Sequence, residues 1–137
     1  MRRRLLLALA LALVPVTVNA EGAIALGLPN DVARDGVAAG WAVGQPTGKA
    51  ADLALQQCRT RPDLPQSTRD LCRVVQVFSG SCIAVAMDPD DGTPGFGWAV
   101  AAIKADAEAT AMRGCRDTSG ATRQAFCKLG VSACDRR

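Results

Sequence analysis

Histidine and tyrosine are both absent from this 137-residue chain. Without histidine there is no Ser-His-Asp or Cys-His constellation, no histidine-based zinc site, and none of the imidazole acid–base chemistry of small secreted ribonucleases. Without tyrosine no phenol can act as nucleophile or proton donor. Glutamate is nearly absent as well: Glu21 and Glu108 are the only two. Aromatic side chains are few, namely Trp41, Phe78, Phe96, Trp98 and Phe126, so the core must be built largely from alanine and small aliphatics. No apolar run approaches the ~20 residues a membrane-spanning helix needs. The longest, Leu5–Val14, is ten residues of Leu, Ala and Val.

That short run has the flanks of an export signal. Arg2, Arg3 and Arg4 precede it, Pro15 breaks it, and Val18-Asn19-Ala20 offers the side chains a signal peptidase reads. Residues 1–20 are therefore expected to be a signal peptide, with residues 21–137 forming a single domain destined for the periplasm or secretion and no membrane span after cleavage. Three of the 16 basic residues belong to the signal, so the remainder balances its 13 acidic residues. A domain without net charge lacks the attraction to phosphate that drives non-specific nucleic-acid binding, and no nucleic-acid partner is expected.

Six cysteines follow the expected cut and none precedes it. An even number in a short exported chain reads as three disulfides, and the missing histidine and the missing Cys-x-x-Cys argue against metal. No cofactor and no metal is expected.

An internal repeat organises the cysteines. Gly40-Trp41-Ala42-Val43 recurs as Gly97-Trp98-Ala99-Val100, and the same 57-residue offset carries Ala50 onto Ala107, Ala54 onto Ala111, Cys58 onto Cys115 and Arg59 onto Arg116. Cys72 and Cys82 then answer in order to Cys127 and Cys134. The repeats span about 23–81 and 82–134, with Trp41 and Trp98 as their anchors. On this logic the expected bridges are Cys58–Cys72, Cys115–Cys127 and Cys82–Cys134, the last tying the two halves together.

Each half reads as β-β-α-β. An apolar run (Ala23–Leu28, or Cys82–Met87) leads through a loop to the Gly-Trp-Ala-Val strand. An alanine-striped helix follows, Thr47–Arg59 with Thr47 as N-cap and Lys104–Arg116 with Gly114 at its fraying end. The last strand of the first half is Arg73–Phe78, and Ser79-Gly80-Ser81 is short enough to turn it into the next strand. The fold class is α+β: one mostly antiparallel sheet with two Ala-rich helices on a face, stapled by disulfides.

Two copies of Gly-Trp-Ala, each followed by an Ala-rich helix ending in cysteine, resemble the exported bacterial proteins of the domain-of-unknown-function family 4189. The likeness covers roughly Ala23–Cys134. It implies export and a compact disulfide-bonded α+β domain, and no activity.

Other clusters point to surface rather than chemistry. Asp88, Asp90 and Asp91 beside Gly92 suggest a solvated turn rather than a cation loop, since the twelfth position of a calcium loop counted from Asp88 is Ala99, not a bidentate glutamate. Asp106 and Glu108 fall where they complement a helix dipole. The arginines Arg59, Arg61, Arg69, Arg73, Arg113, Arg116 and Arg123 are interleaved with Asp63, Asp70 and Asp117. With no catalytic set in view, the chain reads as an exported binding module for a protein partner, of the inhibitor or immunity type. The alternatives are a small histidine-independent envelope hydrolase using Asp or Glu, and a structural or stress-related envelope protein. Oligomeric state is not legible from the sequence.

Overall fold

The computed structural model describes residues 19–135; residues 1–18 of the expected signal peptide 1–20 and the Arg136-Arg137 tail lie outside the described residues. The elements are β1 (Ala20–Gly27), α1 (Val32–Asp35), β2 (Ala38–Pro46), α2 (Ala50–Arg59), α3 (Gln66–Asp70), β3 (Arg73–Phe78), β4 (Cys82–Met87), β5 (Phe96–Ala101), α4 (Lys104–Ser119), a 3-10 turn (Gln124–Phe126) and β6 (Lys128–Cys134). The chain is α+β with β-β-α-β order in each half. Among the described residues no helix is long and apolar enough to cross a membrane.

The expected single sheet is instead two. β2-β1-β3 and β5-β4-β6 are separate three-stranded antiparallel sheets, each with the first strand of its half at the centre. Side-chain alternation along the central strands explains the division. Ala23 and Ala25 of β1 face α2, packing with Ala50, Ala54 and Cys58. Ala84 and Ala86 of β4 do the same against Ala107, Ala111 and Cys115 of α4. The intervening Ile24, Leu26, Ile83 and Val85 point the other way and meet in one buried cluster with Phe78. Both faces of each central strand are thus apolar, as in a strand covered on two sides, and the layers run helix, sheet, sheet, helix. The helices occupy the two outer faces rather than sharing one.

The Gly-Trp-Ala element is explained by helix approach. A Cβ on Gly97 would fall inside contact distance of Ala111 O, Cys115 N and Gly114 C, all backbone of α4, and one on Gly40 would meet Ala54 O and Cys58 N of α2. Glycine followed two residues later by alanine, which packs on the helix side, lets backbone rest on backbone. Trp98 goes to the opposite face and packs on the inter-sheet cluster, half-buried, while Trp41 is also half-buried.

Three details differ from the sequence expectation. α2 begins at Ala50 with Lys49 at the cap position and no side-chain cap, so Thr47 does not initiate it. α4 runs through Gly114 to Ser119, because Gly114 sits at the crossing with Gly97, where tight packing holds the helix together. The bridges are Cys58–Cys72, Cys115–Cys127 and Cys82–Cys134. The last joins directly opposed residues of β4 and β6, so it staples the second sheet internally and does not tie the halves. Register shows why: Ile24 opposes Trp41 and Val85 opposes Trp98, which sets Cys82 level with Glu21 at the start of the second half's central strand, so Cys82 is not the first half's counterpart of Cys134. The two halves meet through buried side chains and the Ser79–Ser81 turn. There the Ser81 N–H donates to Asp135 Oδ1 at 2.7 Å and the Asp135 N–H to Ser81 O at 3.0 Å.

Candidate binding cleft

Both β-hairpin loops, 28–37 and 88–95, emerge at the same end of the sandwich, and a cleft of about 460 Å³ opens there, walled by both loops and residues 61–65. Each loop rests on the disulfide-closed loop of its own half. In the first, the buried Thr68 of α3 donates its hydroxyl to Asp35 O at 3.0 Å. Gly36 turns the chain with φ of 69°, a conformation open to glycine at no steric cost.

The second loop is held by charge. Arg123, from the segment between Cys115 and Cys127, donates Nε to Asp88 Oδ2 at 2.7 Å and Nη2 to Asp88 Oδ1 at 2.8 Å. The same Nη2 reaches Asp90, and the guanidinium lies 4.2 Å from the Phe126 ring centroid. The Asp88 side chain is fully covered; its Oδ1 also accepts the Asp90 N–H at 3.1 Å, an Asx turn. Asp88 is therefore not a solvated turn residue as the sequence suggested. Its carboxylate is spent on an internal fork-to-fork pair of the strong bidentate kind. Asp90 and Asp91 remain exposed, and among the described residues no group of three or more acidic or cysteine side chains is placed to hold a metal ion.

Elsewhere in the cleft the pattern repeats between residues one or two apart in the chain. Arg34 forks onto Asp35 and Arg61 onto Asp63. The arginine hydrogen bond in each case holds the Asp35, Asp63 and Asp88 carboxyls below the ordinary range, and the arginines are correspondingly raised. These shifts run opposite to those of a carboxylic acid tuned to donate a proton near neutrality.

The sequence-derived residues fall as follows. All six cysteines are bridged. Asp106 lies in the first turn of α4, and Glu108 accepts from Ser132 and lies 3.9 Å from Lys104; neither faces the cleft. Trp98 lines an apolar recess of about 420 Å³ next to the cleft, with Leu28, Val32, Pro94 and Phe96; Trp41 does not. The Arg123–Asp88 pair went unseen in the sequence, because 35 residues separate its members and only the fold brings them together.

These features define a class: a disulfide-stapled α+β sandwich of two three-stranded sheets, with its loops gathered at one end. The chain belongs to the family described as domain of unknown function (DUF4189), whose model matches residues 16–134. No curated protein and no solved structure matches it.

Proposed function

We propose that this protein is an exported binding module, built from an internally duplicated β-β-α-β unit, that uses the loop end of the sandwich to hold a protein partner in the periplasm or outside the cell. The observation that carries the reading is the cleft: two hairpin loops, each anchored on a disulfide-closed loop, enclosing side chains whose charges, Asp91's apart, are already paired. Such a surface is preorganised, so little ordering is lost on association. It is also poorly suited to turnover, because its covered carboxylate is locked onto Arg123 and held in the ionised form. Inhibition of, or immunity to, an envelope-acting enzyme is the form of binding this arrangement suits best, since rigid loops presented from a stapled scaffold dock with little backbone change.

The test is affinity capture from envelope extract under oxidising conditions, using the mature protein and charge-reversed cleft variants Arg34→Glu, Asp63→Lys and Asp91→Lys. The variants should fold normally and lose the captured partner. If replacement of a single carboxylate abolished a cellular phenotype while fold and capture were unchanged, the hydrolase alternative would replace this reading.

A further inference from the structure

We infer that the outward edge of β5 accepts an extended, apolar peptide segment of the partner protein as an added strand. The inference deepens the binding reading and rests on it. β5 ends the order β5-β4-β6, so one row of its backbone groups faces away from β4. Phe96 belongs to that row: its N–H donates to Thr118 Oγ1 at 2.9 Å, and the same hydroxyl lies 2.9 Å from Phe96 O. The two-residue period of a strand places the N–H and C=O of Trp98 in the same row.

The two halves treat this row differently. On β2 the equivalent amide, that of Trp41, donates to Gln57 Oε1 of α2 at 3.1 Å. The residue 57 positions beyond Gln57 is Gly114, which has no side chain to offer Trp98. Its place is fixed by packing, since a Cβ there would lie 3.1 Å from Gly97 Cα. α2 reaches the Trp41 amide in the middle of its edge, whereas α4 caps only Phe96 at the start of its own and, among the described residues, leaves the Trp98 N–H without a side-chain cap. An open edge with unpaired donors and acceptors is the template for strand addition.

The recess beside this edge supplies side-chain recognition. It is lined by Leu28, Val32, Pro94, Phe96 and Trp98, and Leu28 is 45% exposed. A side chain from an added strand would enter it, which asks for an aliphatic or aromatic residue. Asp117 stands on the rim and forms no ion pair among the described residues, which favours a lysine or arginine beside that anchor. A second copy of this chain would bring its own Asp117 to the same interface, a like-charge approach that disfavours self-pairing.

The probe is the capped peptide Lys-Val-Thr-Val-Thr-Val-Lys, titrated into the disulfide-intact protein and followed by amide shifts. Two further versions are N-methylated on alternate residues, one in each register. Shifts should centre on Trp98–Val100, and at least one N-methylated version should bind tenfold or more weakly. Gly114→Gln, which installs the cap of the first half, should weaken binding at least tenfold. Because that variant strains the Gly97 contact, Leu28→Ala gives a second reading, with a several-fold loss. Without any peptide, the Trp98 amide should exchange at least tenfold faster than the Trp41 amide. Equal protection of the two, shifts centred away from β5, undiminished binding of both N-methylated peptides, no saturable binding up to about 1 mM, or dimerisation through β5 would each overturn the inference. If β5 fails while the cleft variants still abolish capture, the binding module stands and only the strand addition falls. If the cleft variants are silent too, both fall.

Discussion

Replacing Gly97 with alanine tests the contact on which the second half is built. The added methyl would fall well within 3.0 Å of Ala111 O, Cys115 N and Gly114 C. All three are main-chain atoms in the middle of α4, so no rotamer change relieves the clash. The helix must lift from the sheet by about 1 Å, a gap that forfeits a quarter to a half of each dispersion contact across it. The contacts at risk are those of Ala84 and Ala86 with Ala107, Ala111 and Cys115, all fully buried. Overpacking of this kind costs about 1–3 kcal/mol and sometimes more, offset by the ~0.4–1 kcal/mol that Gly→Ala gains by stiffening the unfolded chain. Backbone atoms on three sides place this site at the upper end, so a net loss of about 2 kcal/mol is expected. Urea unfolding with disulfides intact should show a lower midpoint at unchanged slope. For a domain of this size the melting temperature should drop by about 6–10 °C. Gly130→Ala on β6 is the control. Its nearest neighbours would be 3.9 Å away, and stability should stay within about 0.5 kcal/mol of the parent. Gly40→Ala should behave like Gly97→Ala, and the two losses should add, because each strains a different helix. A Gly97→Ala protein as stable as the parent would refute the close-contact account of the Gly-Trp-Ala element.

Acid should expose the Arg123 pair. The Asp88 carboxyl is held below its ordinary value of 3.8 by Arg123, so its contribution is present above that value and is lost as pH falls through the folded pKa. Urea midpoints measured from pH 6 to pH 2 should fall below about pH 4, and Arg123→Leu should be less stable at pH 6 with a shallower acid loss; an unchanged acid limb would count against the pair. Replacing both cysteines of a bridge by alanine should cost about 3 kcal/mol for Cys58–Cys72 and about 4 for Cys82–Cys134 on the loop-entropy scale, given separations of 14 and 52 residues. Reversed ranking in denaturant unfolding would show that strand pairing already restrains the longer loop. Intact-mass measurement of the exported protein should place its N-terminus at Glu21; a product retaining Leu5–Val14 would indicate a membrane anchor instead.

How far the sequence reaches into the fold follows from the range of the interactions that write it. The order β-β-α-β is a local property. Arg73–Phe78 reads as a strand from its own side chains and is one, and the stripe of Ala50, Ala54 and Cys58 marks the buried face of α2 because helical periodicity needs only neighbours. The family, too, was legible in the cysteine order and the paired Gly-Trp-Ala elements. Thr47 and Gly114 misled as helix boundaries because local capping and propensity rules are overridden where packing decides.

The number of sheets was not local. Cys82–Met87 is apolar at nearly every position, a pattern compatible with one sheet or two. Only the meeting of Ile24 and Leu26 with Ile83 and Val85 shows that each sheet buries both faces. Asp88 reads as a solvated turn residue among its neighbours, yet the protein covers it and supplies Arg123 from a distant loop. The exposed edge of β5 was similarly out of reach. That Gly114 stands where Gln57 stands can be counted from the repeat, but what Gln57 does can be known only once α2 lies across β2. Sequence determined this protein's elements because they depend on side-chain periodicity over a few residues. Tertiary structure alone decided which faces meet, which charges are paired and which edge stays open, because each depends on atoms brought together from distant parts of the chain.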